Sequence, residues 1–209
     1  MAQSNTPRRP AMLDAARAET IVGDEDPAAH AAVAHTAAWA LMGVGDESFP
    51  DADVARLRDT VRSVGVDVIA HAWSRSPEFT LPGALWRLYL LHEWYHRDPG
   101  LVESRYAQGL RAPIIQGLEA PVQVRPLRAV MQEVDALLRG DLTDDDLDGV
   151  LAQASRAMRV LAAGESGPLW IEDPTDPLAH RVTMRTSALL ATADELDLAA
   201  REAAFGTLD

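Results

Sequence analysis

Apolar residues recur three and four positions apart through most of the chain, the spacing of one buried helical face. In Asp51–Ser63, Val54, Leu57 and Val61 share a side, while Arg56, Arg58 and Arg62 face away. Leu127–Leu138 repeats the pattern. From Thr143 onward, Leu147, Val150, Leu151, Ala154, Met158 and Leu161 keep the period as far as Gly164. Start signals agree with it: Asp26-Pro27, Asp98-Pro99 and Asp176-Pro177 each read as an N-cap followed by proline at the first helical position. Leu142 and Leu147 bracket Thr143 as a hydrophobic staple. Gly43, Gly65, Gly140 and Gly164 mark the stops. The pattern predicts further helices over Ala11–Ile21, from Pro27 to Met42, over Val66–Trp73, from Pro99 to about Leu110, and from Pro177 to about Phe205. Arg111–Pro126 holds three prolines and Gly117 and reads as a long connection, with a short extended piece at Val122–Val124. A loop containing Trp170 is expected over 165–176. No repeat, sustained heptad or sheet emerges.

One helix differs from the rest. Thr80 is an N-cap and Pro82 sits in the first turn, where a missing N–H costs nothing. Asp98-Pro99 ends the run, because a residue before proline is pushed out of helical geometry. At about 100° per residue, Leu85, Leu88, Tyr89, His92, Tyr95 and His96 share a face, and Trp86, Leu90 and Trp94 cover much of the remainder. Only Arg87, Glu93, Arg97 and Asp98 are expected on minor polar faces. A helix apolar nearly all round is buried on several sides. The expected fold is therefore all-α: a single-domain bundle of roughly seven to nine helices around a central buried helix at 81–97, with residues 1–12 a flexible N-terminal segment and 13–209 the domain.

Composition narrows the function classes. The chain has 209 residues, 47% of them apolar and 24% charged, which fits one globular domain with a real core. A net charge of −13 argues against nucleic acid and anionic membrane as partners. The excess lies outside the centre, since residues 81–140 hold seven Arg against six Asp and Glu. All 19 basic residues are Arg. With no cysteine there is no disulfide and no thiolate ligand, and with no apolar leader the cytoplasm is the expected location.

The hub helix carries His92-Glu93-Trp94-Tyr95-His96, which reads H-E-x-x-H. Residues four apart on a helix lie one above the other, so His92 and His96 can direct both imidazoles at one zinc ion. The string resembles the zincin metallopeptidase motif. That resemblance covers five residues of 209 and implies His92 and His96 as ligands and Glu93 as general base. The surroundings depart from the family. His96 is followed by Arg97-Asp98-Pro99-Gly100 with no third histidine, none of Glu103, Glu119 and Glu133 opens an E-x-x-x-D, and no strand is expected to hold a peptide substrate. A metal site assembled from His30, His35 and His71 on neighbouring helices, by analogy with the DinB-like bundles, is a variant, but His30 and His35 are five apart and cannot both face one ion on a straight helix. Asp144-Asp145-Asp146-Leu147-Asp148-Gly149 begins like a calcium loop, yet Ser155 stands where a bidentate Glu is needed, so an acidic helix start is expected. Gly164-Glu165-Ser166-Gly167-Pro168 does not complete a nucleophile elbow.

Two functions are expected from this. The first is a non-catalytic module acting through a protein partner or self-association, without cofactor, by way of an apolar patch or the last helix. The alternative is a zinc-dependent peptidase or amidase using His92, Glu93 and His96, with a third ligand close to both imidazoles.

Overall fold

The computed structural model describes residues 26–164 and 186–209. Among them are eight helices and no strand: α1 (Pro27–Leu41), α2 (Asp51–Val64), α3 (Asp67–Trp73), α4 (Leu81–Arg97), α5 (Pro99–Gly109), α6 (Leu127–Leu138), α7 (Asp144–Ala163) and α8 (Thr186–Ala204). No helix among the described residues is long and apolar enough to cross a membrane. The flexible segment 1–12, the helix over Ala11–Ile21, the loop around Trp170 and the Asp176-Pro177 start all lie outside the described residues.

Capping chemistry places the boundaries. Asp26 accepts from the Ala28 N–H at 3.0 Å, Thr80 from Gly83 at 3.2 Å and Asp98 from Leu101 at 3.0 Å, each satisfying an amide that has no partner within its helix. Thr143 and Asp146 form a reciprocal capping box, so the acidic run Asp144–Asp146 is the first turn of α7, where carboxylates favour the positive end of the helix dipole. It is not a calcium loop. At the far end of α6 the chain turns through Gly140 at φ 70°. The Gly140 carbonyl is taken up by Arg58 and by Arg62, which donates at 2.7 Å, tying α2 to the α6–α7 corner. The connection around Val122–Val124 contains no strand.

The central helix is α4, which packs against α1, α3, α5, α6, α7 and α8. Every residue from Leu81 to Leu91 is buried, and so is Trp94. Ala34 and Ala38 of α1 lie fully buried in the same core, small side chains that let helices approach closely. Arg87, expected on a polar face, is instead 7% exposed. It pairs with Glu195 of α8 and donates to the Gly83 carbonyl at 2.8 Å, because α8 covers the side of the hub on which it falls. The chain then returns to the start of α4: Leu208 is buried and the Asp209 carbonyl accepts from the Leu81 N–H at 2.7 Å.

Candidate metal centre

Burial of α4 relents in its last two turns. His92 and Glu93 are half-buried and His96 is exposed, so the H-E-x-x-H string lies where the hub reaches the surface. The i, i+4 spacing stacks the two imidazoles as expected, with ring centroids 4.3 Å apart and planes tilted by 49°. Packing of α6 on α4 then brings Asp135 to both. Its Oδ1 lies 2.8 Å from His92 Nε2 and 3.1 Å from His96 Nε2. The three ligand atoms fall within 4.8 Å of one another, the one such group of three potential ligands among the described residues.

The opposite ring nitrogen of His92, Nδ1, is 3.2 Å from Glu93 Oε1. His92 is thus held at both nitrogens by carboxylates. Tyr89 stacks on its inner side with centroids 6.4 Å apart, and Tyr95 meets His96 edge-on at 5.7 Å. The site opens towards His96, whose side chain is 49% exposed against 20% for His92.

The electrostatics follow from this crowding. Burial works to lower the His92 pKa, but hydrogen bonding to Asp135 and Glu93, with their negative charge, outweighs it and pushes the group up to about 9. Burial acts to raise Asp135, and the two imidazoles facing it hold it below the usual carboxylate range. An imidazole lone pair and a carboxylate oxygen repel at these distances unless a proton or a cation lies between them. Two imidazole nitrogens aimed at one oxygen therefore make a cation-seeking site, balanced either by protons or by a metal ion that displaces them. The donor set is right for such an ion. Two imidazoles and one carboxylate form the His₂-carboxylate combination of catalytic zinc sites, with a position left for water. Zinc bonds of about 2.0–2.2 Å in a tetrahedron place ligand atoms about 3.3 Å apart, so separations of 2.8 and 3.1 Å need open by only a few tenths of an ångström.

The structure brings His92 and His96 together, and Asp135 is the residue that the sequence pattern missed. Of the carboxylates considered from sequence, Glu103 accepts from Tyr95 Oη at 3.1 Å and from Arg128 at 3.0 Å, Glu133 pairs with Arg125, and Glu119 is exposed. His30, His35 and His71 do not join the cluster: α1 and α3 meet the hub through other faces. Asp135 did leave a weak trace. It stands one turn beyond Met131 and beside Val134, at the margin of the apolar stripe of α6, where a carboxylate is brought against the neighbouring helix.

No protein-family model matches this chain, and no curated protein or solved structure shows significant similarity to it.

Proposed function

We propose that this protein is a metal-dependent hydrolase whose ion, zinc in the first instance, is bound by His92 Nε2, His96 Nε2 and an Asp135 oxygen. The observation that carries the reading is the convergence of these three groups, from two helices, on one point at the surface. A zinc ion held by three protein ligands keeps a position for water and lowers the pKa of that water to about 7. Glu93 takes a positioning part. By accepting from His92 Nδ1–H it fixes the tautomer that leaves Nε2 free for the ion, the carboxylate–histidine–metal relay of many zinc sites. The half-exposed His96 and the absence of any strand among the described residues favour a small ester or amide reaching the ion from solvent over a long peptide laid along the site.

The non-catalytic reading rested on an apolar patch or a self-associating last helix. In α8, Leu189, Ala193, Leu196 and Ala200 are buried in the core, while Leu198 and, just past the helix, Phe205 stay exposed; that reading has no convergence of groups comparable to the one at His92, His96 and Asp135.

Metal content of untagged protein by mass spectrometry tests the metal reading. About one zinc per chain is expected, lost in the His92→Ala, His96→Ala double variant and in Asp135→Asn. Wild-type protein that is isolated metal-free and does not retain added zinc through gel filtration refutes it. If zinc binds but the loaded protein hydrolyses simple ester and amide substrates no faster than the double variant, the site is structural and the hydrolase reading fails alone.

A further inference from the structure

The arrangement of donors at the metal centre bears on what an ion there can carry. All three come from one side: Asp135 Oδ1 meets both imidazole nitrogens, and no fourth His, Cys, Asp or Glu of the described residues joins them. Side-chain exposure rises from 20% at His92 to 34% at Asp135 and 49% at His96. An ion on this triangle is backed by protein and turns its other half to solvent.

Spacing narrows the coordination. Bonds of about 2.1 Å set ligand atoms about 3.0 Å apart along the edge of an octahedron, against about 3.3 Å in a tetrahedron. The edges at Asp135 measure 2.8 and 3.1 Å, which bracket the octahedral value and both fall short of the tetrahedral one. The packing of α6 on α4 thus holds the donors at the spacing of one octahedral face, as in two-histidine, one-carboxylate sites with open positions. Three donors on one face leave three further positions, each beside the other two. The polar groups around the ion are already satisfied by one another. Glu93 lies on His92 Nδ1, Tyr95 donates to Glu103, Arg128 donates to the same carboxylate, and Tyr89 donates to Asp67. Orienting a substrate therefore falls to the ion's own open positions. A substrate bound through one oxygen swings about that bond, whereas two oxygens fix it in place, and a fixed geometry is what lowers the barrier to attack.

We infer that the ion at His92, His96 and Asp135 is bound on one face and takes a substrate that chelates it through two oxygens. The substrate class is an ester or amide with an oxygen donor beside its carbonyl, and the third open position holds the water. The inference rests on the metal-dependent reading above and deepens it. Zinc meets it by taking ligands beyond four, as it does in catalytic sites.

The test loads the full-length, untagged protein with cobalt(II). Its visible absorption is weak in six coordination and intense in four, because an octahedral field is centrosymmetric and a tetrahedral one is not. About one cobalt per chain should survive gel filtration and show the weak spectrum, and none should survive on the His92→Ala, His96→Ala double variant. Acetohydroxamate, which offers an ion two oxygens, should then change that spectrum saturably. It should bind at least about a hundredfold tighter than acetamide, the lower end of the gain when a second contact becomes intramolecular. Intense four-coordinate absorption, acetamide that binds as well as acetohydroxamate, or hydroxamate that strips the cobalt instead of joining it would each overturn the inference while the metal site stands. Wild-type protein that retains no cobalt would overturn both.

Discussion

Glu93 is the residue on which the two chemical readings of the H-E-x-x-H string divide. As a general base it would have to face the water on the ion, whereas it lies on His92 Nδ1, across the ring from the nitrogen that meets Asp135. Glu93→Gln keeps the shape and removes the charge. We expect it to weaken zinc binding about ten- to a hundredfold, the usual effect of losing an outer partner of a ligating histidine, read by competition with a chromogenic chelator. Unchanged zinc affinity together with abolished hydrolysis would restore the general-base role. The sequence made half of this site legible. The i, i+4 pair is a property of one helix and can be read from spacing alone, but Asp135 stands 39 residues beyond His96, and only the packing of α6 on α4 selects it over Glu103 and Glu133. The E-x-x-x-D pattern of the zincin resemblance points to a glutamate, whereas the group that meets both imidazoles is the carboxylate of Asp135.

Among the elements, the sequence spoke most clearly at helix ends, where caps act locally: Thr80, Asp98, Thr143 and Gly164 all lie where the expected boundaries put them. Close approach between helices left no such signature. Gly109 ends α5 against α7 so tightly that a Cβ there would fall 1.8 Å from the Val160 carbonyl oxygen. That atom is backbone and cannot rotate away. Gly109→Ala must therefore push α5 off α7, and we expect a loss of about 3 kcal/mol, the upper part of the range for overpacking, measured by urea denaturation. Gly149→Ala is the control. It lies on α7 with nothing within 4 Å of the added carbon, and replacing glycine within a helix should gain about 0.5–1 kcal/mol. Nothing in the sequence distinguishes these two glycines, since the difference lies in which neighbouring backbone passes over each.

At the scale of the whole molecule, the all-helical class and the hub at α4 were legible because they follow from apolar period and aromatic density. The buried charges were not, since Arg87 reads as a polar break in the hub until α8 supplies Glu195. The composition also opens a clean window on global stability. With no cysteine, and with every basic residue an arginine, the side chains that titrate from about pH 10 to 12 are the tyrosines. All three tyrosines are shifted upward. Burial pushes Tyr106 up to about 12, and its hydroxyl donates to the Arg125 carbonyl at 2.7 Å. Burial likewise raises Tyr89, helped by its hydrogen bond to Asp67, and raises Tyr95, helped by Glu103. A folded chain that keeps these protons while the unfolded chain releases them at about pH 10 has their stabilisation in full below that pH. It loses the Tyr106 share as pH rises towards 12. Stability should therefore fall steeply from pH 10 to 12, with tyrosinate absorbance of the native protein lagging behind that of the denatured chain. Tyr106→Phe has no proton to hold, so its stability should decline less over the same interval even if it starts lower for want of the bond to Arg125. A variant whose stability tracks wild type through that window would show that Tyr106 ionises as freely in the fold as outside it.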